Sequence, residues 1–201
     1  MNFLAHLVLA GDDDDLRLGA MLGDFVRGSE PLKRFGPGLR TGVRLHRHID
    51  AFTDALPAIA DLRGSCPDPF RRYAGIIIDL LFDYELAGRW RAYREESLKA
   101  FDAGVRDLLA RRSEQVPDRL ARFMAYADRR GLFAAYRERS EILHSLAGLG
   151  SRLSRPNPLH RVDEIWERVE PRAAACFEAV FADVQSEVSD WLVSRSITTG
   201  S

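Results

Sequence analysis

The chain has 201 residues, 46% hydrophobic and 29% charged, which is the composition of a folded globular protein rather than a disordered one. Its formal net charge of −1 argues against a general attraction to nucleic acid or anionic membranes, so we expect neither as a partner. Two widely spaced cysteines and an apolar N-terminal stretch without the basic leader of a signal peptide predict a cytoplasmic protein.

The first half of the chain predicts helices, because apolar residues recur at helical spacing and no strand-like alternation stands out. Pro57 would lie in the first turn of a short helix that Thr53 or Asp54 would cap. The longer predicted helices cover residues 16–26, 39–52 and 70–90, and the last of these is the most apolar.

The second half predicts further helices, and Pro156, Pro158 and Pro171 are expected at their boundaries. These helices cover residues 98–109, 117–128, 132–146, 159–169 and 172–193. We therefore predict an all-α fold with a single compact helical domain over residues 1–196 and a disordered tail at 197–201.

His46 and Asp50 are four residues apart, so on a helix they share a face. A histidine nitrogen and a carboxylate oxygen on adjacent turns can hold one divalent cation, such as zinc, manganese, iron or magnesium. His48 points in a different direction. The alternative interpretation is a solvated charged face, because such pairs are common on ordinary helices.

Asp79 and Asp83 are also four residues apart, inside the most apolar predicted helix. An ionised carboxylate that is buried without a partner costs several kcal/mol, so each must be paired, protonated or metal-bound. Salt bridges to arginines are the alternative to a metal; the arginines considered are Arg44, Arg47 and Arg72.

Asp24 is a third carboxylate in apolar surroundings, and its neighbour Gly23 permits a close approach of the backbone. His6 is a weaker candidate, since a lone histidine on an apolar face is often a structural core residue. The sequence contains no glycine-rich phosphate loop, no nucleophile elbow and no dinucleotide fingerprint, which directs attention to these histidines and aspartates.

Several motifs, in order along most of the chain, resemble those of the acyl carrier protein phosphodiesterase family. The strongest likeness lies in residues 1–90. The matching segments are Met1–Leu7, Leu22–Gly28, Leu45–Arg47, Ile49–Asp54, Arg72–Asp83, Arg89–Trp90 and Ser151–Pro156.

The resemblance implies a fold similar to the HD-type metal-dependent phosphohydrolases, in permuted order. It implies hydrolysis of the phosphodiester that joins 4′-phosphopantetheine to a serine of acyl carrier protein, the protein substrate. It also implies a divalent cation, Mn²⁺ or Mg²⁺, with Fe²⁺ or Zn²⁺ as alternatives. The metal ligands it implies are Asp24, His46, Asp50 and Asp83, with His6, Arg47, Asp54 and Asp79 in supporting positions.

The chain departs from the family pattern at Tyr84, where the family has a histidine after the aspartate. A phenol is a poor metal ligand near neutral pH, because its pKa is about 10. His48 stands where arginine is usual and is a candidate to compensate. Two alternatives therefore stay open: a hydrolase of nucleotides or other small phosphoesters, and a non-catalytic relative that binds the carrier.

For catalysis, we expect Asp79 or Asp54 to accept a proton from the attacking water, and Arg47 or Arg27 to neutralise charge on the phosphate. The carriers are acidic, so a basic docking surface is required. Each arginine considered for it also fits a solvated helix face; they are Arg71, Arg72, Arg129, Arg130, Arg137 and Arg139.

Overall fold

Nine α-helices, joined by short turns of 3₁₀ helix, account for the regular structure that a computed structural model describes for residues 1–26, 28, 30–128 and 133–198. The predicted all-α fold with one compact domain is therefore confirmed. No helix among these residues is both long and apolar enough to cross a membrane. The helices are α1 (Phe3–Leu9), α2 (Asp14–Leu22), α3 (Pro37–Ala55), α4 (Pro57–Ser65), α5 (Ala74–Gly88), α6 (Leu98–Arg111), α7 (Asp118–Asp128), α8 (Arg139–Gly150) and α9 (Trp166–Thr198).

The run of aspartates near the N-terminus starts helix α2. The Asp13 carboxylate accepts a hydrogen bond from the Leu16 amide, 2.9 Å away, as an N-cap residue does. Asp14 and Asp15 occupy the first turn, where negative charge is stabilised by the helix dipole. A sequence feature that looks like a charge cluster is thus explained by helix capping.

Glycine allows α2 and α3 to pack with their backbones close together. A Cβ atom on Gly19 would lie 2.6 Å from the Cα atom of Gly42, so neither position has room for a side chain. Just beyond α2, a Cβ atom on Gly23 would lie 2.2 Å from Cγ of His46. The close packing therefore places the residues after α2 directly against His46.

Helix α5 runs through the interior and has buried residues on nearly all sides, which explains its apolar sequence. Phe82 meets Phe177 of α9 with ring centroids 5.4 Å apart, and Phe177 stacks on Phe181 at the same spacing. On another side, α5 packs against α1. Helix α5 thus connects the N-terminal part of the chain to the long C-terminal helix.

The predicted cap of helix α4 is wrong. Helix α3 continues through Thr53 and Asp54 to Ala55, and the N-cap of α4 is Leu56. Pro57 does occupy the first turn of α4, as predicted. The extra turn of α3 forms because Thr53 is buried against the core, and this burial outweighs its preference for a cap.

The predicted boundary at Pro171 is also wrong, because the proline lies inside α9. It is the sixth residue of the helix, so its ring removes the amide that would otherwise donate to the carbonyl oxygen of Glu167. Buried residues on both sides, Val169 and Ala173, hold the segment in the helix. The predicted helix at 132–146 is instead a 3₁₀ turn, Ala134–Arg137, followed by α8, and Leu132 lies outside the described residues.

Candidate metal centre

Two histidines from different helices converge on one carboxylate. The Nε2 atom of His6 on α1 lies 3.0 Å from Oδ1 of Asp50, and the Nε2 atom of His46 lies 3.2 Å from Oδ2 of Asp50, one turn along α3. His46 Nε2 also lies 3.5 Å from Oδ1 of Asp24, which follows the C-cap residue of α2, Gly23. The fold thus brings together three of the four metal ligands implied by the family resemblance, together with His6.

The two imidazole rings stack face to face, with centroids 3.9 Å apart and planes inclined by 17°. Both histidines are buried, and among the described residues their Nδ1 atoms have no hydrogen-bond partner. Each ring therefore makes its side-chain contacts through Nε2.

The stacked rings differ in their affinity for protons. Burial, followed by the proximity of His46, lowers the pKa of His6 to about 4. Burial also disfavours charge on His46, but contacts with Asp24 and Asp50 outweigh it and raise the pKa of His46 to about 9. Near neutral pH the pair therefore carries one positive charge, on His46, while His6 is neutral, because two stacked imidazolium rings would repel each other.

The carboxylates form the open side of the site. The side chains of Asp24 and Asp50 are 54% and 42% exposed, whereas the histidine side chains are almost fully buried. Burial alone would raise the pKa of Asp50, but its hydrogen bonds to His46 and His6 hold that pKa below the usual range. The site thus presents ionised carboxylates to solvent over a buried base of imidazoles.

These groups fit a divalent metal ion. His6, His46 and Asp50 each offer one ligand atom, and the three atoms lie within 4.8 Å of one another. Two imidazole nitrogens and a carboxylate oxygen are suitable ligands for zinc, iron or manganese. The half-exposed Asp24, next to His46, leaves room for water or substrate on the open side.

Asp79 lies at the edge of this cluster. Its Oδ1 atom accepts a hydrogen bond of 2.9 Å from the Met1 ammonium group, which is also 3.8 Å from Oδ1 of Asp50. Burial raises the pKa of Asp79, although the ammonium group opposes this. Since the side chain is still 40% exposed, Asp79 can contact both the cluster and solvent.

Asp83, a predicted metal ligand, lies one turn further along α5 and away from the three clustered ligand atoms. Its two oxygens accept hydrogen bonds from the amides of Leu4 and Ala5, at 2.9 and 3.0 Å. Burial raises its pKa to about 7, although these bonds act in the opposite direction. Asp83 therefore binds the first turn of α1 and positions His6, and its role as a metal ligand stays a prediction.

Tyr84 and His48 both lie away from the cluster. The ring of Tyr84 meets Trp166 edge to face, with centroids 5.4 Å apart. His48 stacks on Trp191 of α9, and its Nε2 atom lies 2.7 Å from Glu187. His48 thus links α3 to α9, and its compensating role at the metal site stays a prediction.

Arg47 and Asp54 also have structural partners. The guanidinium group of Arg47 donates to the carbonyl oxygens of Val26 and Gly28, at 2.7 and 3.0 Å, and so holds the loop that follows Asp24. Asp54 accepts a hydrogen bond of 2.5 Å from Arg63. Arg27, the other predicted phosphate contact, lies outside the described residues.

The arginines predicted to dock the carrier fall into different environments. Arg139 bonds to Asp163 and Glu167, and Arg137 donates to a backbone carbonyl. Arg71 donates to two carbonyls, while Arg72 is exposed. Arg129 and Arg130 lie outside the described part of the chain. No common surface follows from this set.

Sequence signals for His6 and for the role of Asp83 were weak or absent. His6 is a single histidine on an apolar stretch, and only the family motif at Met1–Leu7 distinguishes it from a core residue. The bonds of Asp83 to α1 depend on a helix that the sequence analysis did not predict. Both contacts join residues more than 40 positions apart, so local spacing carries no signal for them.

Comparison with known proteins places the chain in a family. The profile of the acyl carrier protein phosphodiesterase family matches residues 1–184. Three relatives carry that name. The Pectobacterium atrosepticum protein is 37% identical over 63% of this chain and 65% of the relative. The Yersinia enterocolitica protein is 30% identical over 93% of this chain and 99% of the relative. An Escherichia coli protein is 31% identical over 86% of this chain and 91% of the relative.

No solved structure matches, so the likeness to HD-type phosphohydrolases in permuted order stays a prediction. The family assignment rests instead on the sequence profile, which covers the candidate metal centre and most of the helices around it. The chain belongs to the acyl carrier protein phosphodiesterase family.

Proposed function

We propose that this protein is a metal-dependent phosphodiester hydrolase that removes 4′-phosphopantetheine from the serine of holo-acyl carrier protein. The observation that carries the proposal is the convergence of His6, His46 and Asp50 within 4.8 Å in a chain of this family. We further propose a cytoplasmic location, which suits the two free cysteines.

The proposed metal ligands are the Nε2 atoms of His6 and His46 and carboxylate oxygens of Asp50 and Asp24. Mn²⁺ or Mg²⁺ is the proposed ion, with Fe²⁺ or Zn²⁺ as alternatives that the histidine pair would also accept. When bound, the metal supplies polarisation of a phosphoryl oxygen and lowers the pKa of a coordinated water. His46 must first release its proton, because only the neutral ring is a ligand.

Asp79 is the proposed acceptor of the proton from the attacking water. It lies beside Asp50 on the open side, and its raised pKa makes it a stronger base than an ordinary aspartate. Asp54 is the alternative, but its carboxylate is already bonded to Arg63. Replacing each aspartate with asparagine separates the two, since the acceptor's loss should lower kcat by about a hundredfold or more.

Arg47 is proposed to act through the loop it holds. It is half-buried and already bonded to two carbonyl oxygens, so its first role is to fix the position of Asp24. A direct contact with the phosphate is the alternative proposal. Arg47→Lys keeps the charge but removes the planar guanidinium group, whose Nη2 atom donates to both carbonyl oxygens, and a large effect on metal affinity would favour the positioning role.

Two alternatives differ in substrate or in activity. A non-catalytic carrier-binding relative was suggested by Tyr84, but this residue packs on Trp166 and the three clustered ligands do not include it. This observation favours an active enzyme. A hydrolase of small phosphoesters is distinguished by comparing kcat/KM for the holo-carrier with that for small diesters.

The test measures phosphopantetheine release from holo-acyl carrier protein in the presence of Mn²⁺. His46→Gln and His48→Gln form a matched pair, because the two histidines lie on the same helix but only His46 belongs to the cluster. We expect release by the parent and by His48→Gln, and a loss of about a hundredfold or more in His46→Gln. A parent protein that binds the carrier but releases nothing with any of the four metals would contradict the proposed activity.

A further inference from the structure

A cleft of about 280 Å³ lies next to the candidate metal centre. It is lined by Phe25, Arg119, Arg122 and Arg152. Phe25 directly follows Asp24, so their Cα atoms are about 3.8 Å apart, and its ring stacks on Phe3 of α1 at 6.2 Å. The cleft therefore begins one residue away from a proposed metal ligand.

Arg119 and Arg122 differ in their partners from nine other arginines of this protein. Both are exposed, and among the described residues no acidic side chain pairs with either one. The following arginines, by contrast, each bond to an aspartate or glutamate: Arg17, Arg63, Arg89, Arg94, Arg106, Arg111, Arg112, Arg139 and Arg161. In a chain with a net charge of −1, two arginines without acidic partners in one cleft indicate a site for an external anion.

The arrangement of the arginines favours a broad anionic surface over a single small ion. Arg119 and Arg122 are one turn apart on α7, which places their Cβ atoms about 5–6 Å apart. Arg152 lines the same cleft from the turn after α8. Because the α7 arginines are exposed, each contact is weak, and useful affinity requires several carboxylates held at a similar spacing.

We propose that this cleft, the Arg119–Arg122–Arg152 cleft, docks an acidic surface of the protein substrate beside the metal centre. The inference rests on the proposed function, in which that substrate is an acyl carrier protein. Charge complementarity at this position would speed the encounter and orient the bound serine towards Asp24 and Asp50. A nucleic acid is less favoured, since Phe25, the one aromatic residue among the described residues that line the cleft, already stacks on Phe3.

The test compares Arg119→Ala/Arg122→Ala with the control Arg168→Ala/Arg172→Ala, which removes two exposed arginines of α9 that do not line the cleft. Binding of apo-acyl carrier protein is measured by fluorescence anisotropy over a range of salt concentrations. The apo form lacks phosphopantetheine, so binding reports docking without the reaction. Mn²⁺ binding and hydrolysis of bis(p-nitrophenyl) phosphate report the metal centre.

We expect the cleft variant to bind the carrier about tenfold more weakly and with a shallower salt dependence. The control should bind within about twofold of the parent, and both variants should retain Mn²⁺ affinity and small-diester turnover. Equal binding by the cleft variant and the control would overturn the inference. So would a single-stranded DNA that binds the parent as tightly as the carrier does and loses affinity with the same arginines.

The two proposals can fail separately. A parent protein that binds the apo-carrier through these arginines but does not release phosphopantetheine from the holo-carrier would support the docking site and contradict the activity. Release of phosphopantetheine by the parent, with no loss of carrier binding in the cleft variant, would support the activity and contradict the docking site.

Discussion

Helix α5 borders two regions that bury very different side chains. On one side, Asp79 contacts Met1 and Asp83 contacts α1, near the stacked histidines. On the other, Phe82 packs against Phe177 of α9. The first region buries ionisable groups, which costs solvation free energy, and the second buries aromatic rings, which contributes stability.

This difference indicates a division of roles. A cluster of buried histidines and half-exposed carboxylates gives little net stability, because desolvation offsets the attraction between the charges. Its retention in the fold therefore favours a chemical role. The aromatic contacts between α5 and α9 supply the stability that holds the cluster in place. Substitutions in the two regions should then have separable effects on activity and on stability.

The largest effect is expected from Asp50→Asn, which removes the carboxylate that both histidines contact. We expect Mn²⁺ binding to weaken strongly and turnover of the holo-carrier to fall by about a thousandfold, or about 4 kcal/mol. Isothermal titration calorimetry and steady-state kinetics measure the two quantities. Asp61→Asn, on the exposed surface of α4, is the control, and equal losses in both variants would remove the distinction.

Phe177→Ala tests the aromatic region. The ring is fully buried and contacts both Phe82 and Phe181, so its removal should lower the free energy of unfolding by about 3–5 kcal/mol. The folded fraction should keep its Mn²⁺ affinity. Urea denaturation gives the stability, with Val193→Ala as the control because that side chain is 60% exposed. A selective loss of metal binding by the folded protein would contradict the separation of the two regions.

Gly23→Ala tests the packing that links α2 to the metal centre. The backbone at this position is helical, so alanine is allowed, but its methyl group would lie 2.2 Å from the His46 ring. We expect the free energy of unfolding to fall by about 1–3 kcal/mol, because the ring must be displaced. The affinity for Mn²⁺ should also be weaker. Gly64→Ala, on helix α4 where a Cβ atom meets nothing within 4 Å, should cause no loss of stability and leave the Mn²⁺ affinity unchanged.

The smallest change is expected from Asp83→Asn at pH 5, where loss of one amide acceptor should cost about 1 kcal/mol. The folded pKa of about 7 exceeds the reference value of 3.8, so the folded protein binds this proton more tightly than the unfolded chain. The contribution of Asp83 to stability therefore decreases as pH rises from about 4 to 7. Between about pH 4 and 7, the unfolding free energy of the variant should therefore rise relative to that of the parent. A difference between the two proteins that stays constant with pH would contradict the raised pKa of Asp83.

Local patterns in the sequence predict much of this structure. The spacing of His46 and Asp50 placed both on one helical face, and the structure brings them to the same cluster. The apolar character of residues 70–90 correctly indicated a buried helix, observed as Ala74–Gly88. These features depend on helical periodicity, which a single segment carries by itself.

Contacts between segments that are distant in the sequence could not be predicted from helical periodicity. The apolar surroundings of Asp83 left open whether it is paired, protonated or metal-bound, and in the structure its oxygens accept hydrogen bonds from the amides of Leu4 and Ala5. The α7 arginines were not singled out, because only the folded chain places Arg119 and Arg122 beside Phe25. Such contacts require the relative positions of helices, and these are set by packing rather than by spacing.

The bond between Asp83 and helix α1 has a consequence for motion. A helix of seven residues is too short to be stable alone, so α1 depends on its docking to α5. Any local opening of α1 would carry His6 away from Asp50 and dismantle the cluster. Metal binding should therefore suppress that opening, and slower hydrogen exchange at the amides of Leu4 and Ala5 would report occupancy of the site from outside it.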